Sequence, residues 1–157
     1  MKSMKRRIFL KGSLATGALG VAVSTGLLAP RTTLAAWSKA AFDAKDVNGA
    51  LAGLFGSSDL SASDKIKIKA PDIAENGAVV PVSVTTSIAG AQSISIITEK
   101  NQTPLTASFE LGPGAEGYVS TRIKMGKTSS VIAVVKADGK LYSAGKEVKV
   151  TIGGCGG

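Results

Sequence analysis

A change of hydrophobic period near residue 64 is the feature that most limits what this chain can fold into. Apolar residues recur every three or four positions before it, and they alternate with polar residues after it. Such alternation is typical of strands that bury one face. The alternating runs lie at 65–70, 80–88, 94–98, 105–111, 119–125, 131–135 and 148–152. Turn-forming residues separate the runs, so we expect six or seven strands in an immunoglobulin-like antiparallel β-sandwich, which makes the protein mainly β.

One helix is predicted ahead of the strands. Its apolar stripe fits a single amphipathic helix, and Gly56 is a suitable stop. The stripe consists of Trp37, Ala41, Ala44, Val47, Leu51, Leu54 and Phe55. We interpret these side chains as core packing. Further on, Asp138-Gly139 has the composition of a two-residue hairpin turn.

The first 36 residues have the layout of an export signal. A basic start precedes a weakly apolar run at 12–28, and Ala35 and Ala36 supply a small-residue cleavage site. The run contains glycines and hydroxyl residues and is short for a membrane span, so we expect no stable membrane attachment. The sequence therefore predicts a signal peptide at 1–36 and a β-sandwich domain with an N-terminal helix at 37–152.

The basic start is more specific than a general export signal. Arg6 and Arg7 lie in Lys5-Arg6-Arg7-Ile8-Phe9-Leu10-Lys11. This segment resembles the twin-arginine signal, with Lys5 in place of the usual hydroxyl residue. The resemblance implies export of a folded protein to the bacterial periplasm. Folded export also suits a chain that travels with a partner lacking a signal of its own.

The charge of the chain is unevenly distributed. It has 19 basic and 11 acidic residues, and 6 of the basic residues lie in the signal region, which has no acid. The remaining part is nearly neutral, which argues against nucleic-acid binding. Lys65, Lys67 and Lys69 form a basic row on one strand. The row is typical of a solvated strand face that resists aggregation, and a docking patch for an acidic partner stays open.

The residue types present exclude most catalytic chemistry. The chain has no histidine and one cysteine, so a self-contained zinc, haem or iron–sulfur site is excluded. The same counts exclude Ser-His-Asp and Cys-His catalytic pairs and any internal disulfide. Any chemistry must then rest on Cys155, on carboxylates and lysines, or on a partner. We expect no catalytic residue, no metal and no resident cofactor in the chain.

Two glycine motifs resemble phosphate-binding loops. The segment 112–117 matches G-x-G-x-x-G, but a strand-like run follows it where a dinucleotide site needs a helix. Gly126-Lys127-Thr128 resembles the end of a P-loop, but the required earlier glycine is Thr121. We interpret both as connections between strands.

The last five residues carry the only thiol of the chain. Cys155 is flanked by Gly153, Gly154, Gly156 and Gly157. Glycine samples backbone conformations closed to other residues, so 153–157 is predicted to be a thin, flexible swinging arm. The arm offers no cation or helix N-terminus to activate the thiol. Cys155 is therefore expected to be a carrier thiol on which other proteins act.

Three functions stay open on these residues alone. The first is a covalent carrier on Cys155 that is not itself an enzyme. The second is thiol–disulfide exchange, against which the lone cysteine counts, because that class usually has C-x-x-C. The third is a structural protein that forms a disulfide-linked dimer through Cys155; in a carrier the same dimer would be a side product or off state.

The chain resembles the SoxY family, the sulfur carriers of the Sox thiosulfate-oxidising system. The segments that carry the resemblance are 148–157, 70–82, Glu99-Lys100-Asn101 with Pro104-Leu105, and 120–125. The resemblance implies sulfur intermediates bound covalently to Cys155 and no other cofactor. It also implies a heterodimer with SoxZ. Transient partners would be the cytochrome SoxAX, the hydrolase SoxB and a sulfur dehydrogenase.

Overall fold

The structure, a computed structural model, describes residues 38–151. The predicted signal peptide 1–36, Trp37, Ile152 and the predicted arm 153–157 lie outside the described residues. Within the described range, nine strands follow one another: β1 Ser61–Ala62, β2 Ile66–Lys69, β3 Ile73–Ala74, β4 Val80–Thr86, β5 Ala91–Thr98, β6 Leu105–Glu110, β7 Tyr118–Ile123, β8 Ser129–Ala137 and β9 Lys140–Val150.

The strands form two sheets that pack face to face, which confirms the predicted β-sandwich. The larger sheet has the order β1-β9-β8-β5-β6, with β3 also paired to β9. The smaller sheet has the order β2-β4-β7. Alternate side chains of the long strands meet in the core between them, as the period of two predicts. This core includes Val80, Val82, Val84, Ile94, Ile96, Val131, Ala133 and Val135.

The prediction of a single N-terminal helix is wrong. Within residues 38–151 two short helices precede the strands, α1 Lys39–Asp43 and α2 Val47–Phe55. The chain breaks between them because Asp46 is extended and caps α2, its carboxylate accepting a hydrogen bond from the Gly49 N–H at 2.7 Å. Gly56 ends α2 in the left-handed conformation, as expected.

The two helices cover the outer face of the larger sheet. Leu51 of α2 packs with Ile97, Val134 and Leu141 in a second core. Strand β5 is consequently buried on both faces from Ser93 to Thr98. The sequence period reports only one face of a strand, so this second core was not evident from the alternation.

Strands β8 and β9 form the predicted hairpin around Asp138-Gly139. Both turn residues have positive φ, 49° for Asp138 and 73° for Gly139, which suits the right-handed twist of the flanking strands. Strand β9 begins at Lys140, earlier than the run at 148–152 suggested, and it ends at Val150. The longest strand of the described chain thus leads directly towards the C-terminal segment.

Candidate functional site: the end of the last strand

The residues predicted to carry the function lie outside the described range. These are Cys155, the arm glycines Gly153, Gly154, Gly156 and Gly157, and the signal residues Arg6 and Arg7. The structure does describe the end of β9, from which the chain continues towards Cys155. The residues that fix this strand end form the arm root, which we define as Ala74, Gly77, Met125, Thr128 and Val150.

Strand β3 holds one side of the arm root. It runs parallel to β9, with Ile73 opposite Lys149 and Ala74 opposite Val150. The Lys149 N–H donates to the Asp72 carbonyl at 2.9 Å, and the Thr151 N–H donates to the Ala74 carbonyl at 3.1 Å. Backbone hydrogen bonds therefore fix the end of β9 and the following Thr151, which lies four positions before Cys155 in the sequence.

Thr128 holds the other side of the arm root. Its hydroxyl accepts a hydrogen bond from the Val150 N–H at 2.9 Å and lies 3.5 Å from the Val150 carbonyl oxygen. Thr128 belongs to the Gly126-Lys127-Thr128 motif, and the structure places this segment between β7 and β8. The hydroxyl that resembled a P-loop group therefore serves to anchor the last strand.

Gly77 packs beneath the strand end. A Cβ built on this residue would touch the carbonyl oxygen of Met125 and lie 2.8 Å from Cγ1 of Val150. The Met125 N–H also donates to the Gly77 carbonyl at 2.7 Å. No larger residue fits here unless the backbone moves.

Asn101 fixes the loop that contains Met125. Its side chain donates to the Lys124 carbonyl at 2.7 Å and accepts from the Gly126 N–H at 3.0 Å. The three internal segments of the family resemblance, 70–82, 99–105 and 120–125, therefore meet in one network with the end of β9. Sequence reasoning marked these segments but did not predict that they lie together.

The charges near the arm root are paired or exposed. Nζ of Lys146 lies 3.0 Å from Oδ1 of Asp72 and donates to the Ala70 carbonyl at 2.6 Å. Among residues 38–151 no group of three or more carboxylate, thiol or imidazole side chains is placed to hold a metal ion. Neither described helix is long and apolar enough to cross a bilayer.

The G-x-G-x-x-G segment is a turn, as predicted. The Ala115 N–H donates to the Gly112 carbonyl at 3.0 Å, and strand β7 begins at Tyr118 without an intervening helix. An open cavity of about 600 Å³ lies beside it, lined in part by Ile88, Leu111 and Asp138. Because no helix N-terminus of the described chain faces this cavity, it lacks the feature that binds a pyrophosphate.

The fold and its fixed strand end define a class: a small β-sandwich protein whose single cysteine follows an anchored C-terminal strand. The family model described as "Sulfur oxidation protein SoxY" matches residues 51–155. The chain belongs to the SoxY family of sulfur oxidation proteins. The match extends through Cys155 and includes all residues of the arm root.

A solved structure supports the same family. The sulfur carrier protein SoxY from Chlorobium limicola f thiosulfatophilum is 54% identical, with a TM-score of 0.60. The match covers 66% of this chain and 94% of that one. The expectation of a carrier that is not an enzyme agrees with this finding.

A second solved structure is only distantly similar to this chain. The PKD domain of an M14-like peptidase from Thermoplasmatales archaeon SCGC AB-540-F20 is 19% identical over 54% of this chain and 91% of that one, with a TM-score of 0.37. No curated protein matches the chain.

Proposed function

We propose that this chain is a periplasmic covalent sulfur carrier in thiosulfate oxidation, which holds sulfur intermediates on Cys155 and presents them to partner enzymes. The observation that carries the proposal is the SoxY family match through residue 155, because it includes the only cysteine of the chain. A protein with one thiol and no histidine is suited to bear a group on which other proteins act.

The anchored strand end supports this role. Thr151 is held by Ala74, and Cys155 follows four positions later. Four extended residues span at most about 13 Å, so the thiol can reach into a narrow active site while the sandwich stays outside. The glycines on both sides of Cys155 add little width to such an arm.

The loading step is a two-electron oxidation. The Cys155 thiolate and the outer sulfur of thiosulfate form a sulfur–sulfur bond, which gives a cysteine S-thiosulfonate. The two electrons released pass to the c-type cytochrome partner, SoxAX. Because the glycines around Cys155 supply no cation that would favour the thiolate, we expect the partner to assist deprotonation.

The unloading steps restore the thiol. Hydrolysis by SoxB adds water to the terminal sulfone group, releases it as sulfate with two protons, and leaves a persulfide on Cys155. A sulfur dehydrogenase, which serves as the electron acceptor, then takes six electrons from the outer sulfur, with three waters as the oxygen source and six protons released. A second hydrolysis releases this sulfonate as sulfate. Where that enzyme is absent, the outer sulfur passes to another acceptor.

The partner and the compartment follow from the family resemblance and the signal. We propose a heterodimer with SoxZ and export by the twin-arginine route, directed by Arg6 and Arg7. Folded export would carry the preassembled pair. Association with nucleic acid or stable attachment to a membrane is not part of this proposal.

Loading in vitro tests the proposal. The reduced chain is incubated with thiosulfate and SoxAX and then with SoxB, and its intact mass is followed. We expect an addition of one S₂O₃ group, which SoxB converts to one sulfur atom. Cys155→Ser should show neither addition.

A relocated thiol is the matched control. Lys140 is exposed at the start of β9, next to the β8–β9 turn, so Lys140→Cys in the Cys155→Ser background keeps one accessible thiol on the sandwich. This variant should react with iodoacetamide but remain unloaded by the enzymes. If the enzymes load the relocated thiol as fast as Cys155 in the parent, the carrier proposal is contradicted. A disulfide dimer of the parent that thiosulfate does not change would likewise favour thiol–disulfide exchange or a structural dimer.

A further inference from the structure

The outer face of the smaller sheet is exposed and carries only positive charge. Because side chains alternate across strands, Ile66, Val82 and Val119 point into the core while their neighbours point outward. The outward residues that matter here are Lys67, Lys69, Ser83, Tyr118, Ser120 and Arg122, and we call their surface the outer basic face.

Strand register joins these residues into one surface. Lys69 lies opposite Ser83, and Ser83 lies opposite Ser120 on the next strand. The Ser83 and Ser120 hydroxyls are 2.9 Å apart. One row further, Lys67 and Tyr118 flank Thr85 from the two sides. The fold therefore places Tyr118 of β7 near Lys67 and Lys69 of β2, although the two strands are far apart in the sequence.

The positive charge of the domain is concentrated on this sheet. After residue 36 the chain has 13 basic and 11 acidic residues. Strands β2, β4 and β7 contain three of the basic residues, Lys67, Lys69 and Arg122, and no acidic one. The residues after position 36 that lie outside these three strands therefore have a net charge of −1. The excess of positive charge after position 36 thus comes from the smaller sheet.

Tyr118 gives this face the character of a protein interface. Its side chain is half exposed, at 51%. The hydroxyls of Ser120 and Ser83 lower the pKa of Tyr118, and Lys69 acts in the same direction. Tyrosine and arginine are enriched where proteins bind one another, and lysine and hydroxyl donors around them match carboxylates.

Protection of the sheet edge explains only part of this arrangement. Strands β2 and β7 lie at the two edges of the smaller sheet, and lysine on an edge strand discourages pairing with other chains. Lysine is the preferred residue for this purpose, but edge protection does not require that every charge on the sheet be positive. Recognition of an acidic surface does require it.

We propose that the outer basic face docks the acidic face of a partner protein. One end of the outer basic face adjoins the arm root, since Lys69 precedes Asp72 by three residues and Arg122 precedes Met125 by three. A partner bound there would lie beside the point where the chain leaves for Cys155. This last link rests on the proposed carrier function; the docking itself does not.

Binding of a defined acidic probe tests the proposal. The probe is a hexaglutamate peptide, titrated into the ¹⁵N-labelled chain at low salt and followed by amide chemical shifts. We expect shifts confined to β2, β4 and β7, and binding that weakens as salt is added. Lys67→Glu with Lys69→Glu should weaken binding about tenfold or more.

A charge-matched control and a second probe complete the test. Lys45→Glu with Lys140→Glu changes the net charge equally at exposed sites away from the sheet, and its affinity should stay within about twofold of the parent. Equal weakening by both pairs, or shifts spread over the whole chain, would overturn the proposal. Tighter binding of a six-residue oligothymidylate than of hexaglutamate would overturn it in favour of nucleic acid. None of these results depends on the loading of Cys155.

Discussion

The Val150 N–H donates to the Thr128 hydroxyl at 2.9 Å, and this bond ties the end of the last strand to the segment between β7 and β8. Val150 is paired on its other side with Ala74. The strand is thus held from both sides immediately before the chain continues towards Cys155. A carrier arm needs such a fixed origin, because a loose one would enlarge the volume that the thiol explores.

Removing the Thr128 hydroxyl should loosen the arm root. Thr128→Val keeps the shape of the side chain but leaves the Val150 N–H without its acceptor, at a cost of about 1–2 kcal/mol in the free energy of unfolding. Urea denaturation measures the loss, and hydrogen exchange at Val150 should accelerate. Thr128→Ser retains the hydroxyl and should stay close to the parent. Equal stability of the valine and serine variants would contradict the anchoring role.

Gly77 should tolerate no side chain. Gly77→Ala places a methyl group against the Met125 carbonyl and Val150, and overpacking of this kind costs about 1–3 kcal/mol in the free energy of unfolding. Gly112→Ala is the matched control, because a Cβ there meets no atom within 4 Å and its φ is not positive. Thermal or urea denaturation of both variants checks the difference. If both variants lose a similar amount of unfolding free energy, the close approach at Gly77 does not affect stability.

The sequence predicted the sandwich and missed the arm root for the same physical reason. Alternation along Val80, Val82 and Val84 reports burial of a strand face, so long strands are evident from a single segment. The pairing of Ile73–Ala74 with β9 is two residues long and has no period. Its hydrogen bonds join residues more than 70 positions apart in the sequence, and such contacts cannot be predicted from the residue pattern of a single segment.

For the N-terminal helix, the residue pattern predicted one continuous element where the structure has two. The apolar stripe continues through Ala44 and Val47, so spacing alone predicted one helix. Asp46 is a strong helix N-cap, and its bond to the Gly49 N–H restarts the helix at Val47. The two helices then pack closely against each other, which Gly53 allows because a Cβ there would lie 2.9 Å from the Ala41 backbone.

Tyr118 should ionise more readily than an ordinary tyrosine. Hydrogen bonds from Ser120 and Ser83 stabilise the phenolate and lower the pKa of Tyr118. Its contribution to stability is therefore fully present above the unfolded-state pKa and is lost as the pH falls through the lower folded-state pKa. Ultraviolet absorbance of the phenolate measures the titration. Ser120→Ala should raise the pKa of Tyr118; an unchanged titration would contradict the assigned cause.

The arm glycines should matter for delivery more than for thiol chemistry. Gly153→Pro with Gly154→Pro stiffens the predicted arm, because proline fixes φ. We expect SoxB-dependent sulfate release to slow by about tenfold or more, since misplacement at an active site is costly. The rate of alkylation of Cys155 by iodoacetamide should change little. If both rates were unchanged, a flexible arm would not be needed.

The intact mass of the native protein shows whether Cys155 carries sulfur. The chain is purified from cells oxidising thiosulfate and weighed intact before and after a mild reductant. We expect reductant-labile additions of sulfur atoms or sulfur-oxide groups that are missing from Cys155→Ser. A bare thiol, or a plain disulfide dimer unchanged by thiosulfate, would contradict it.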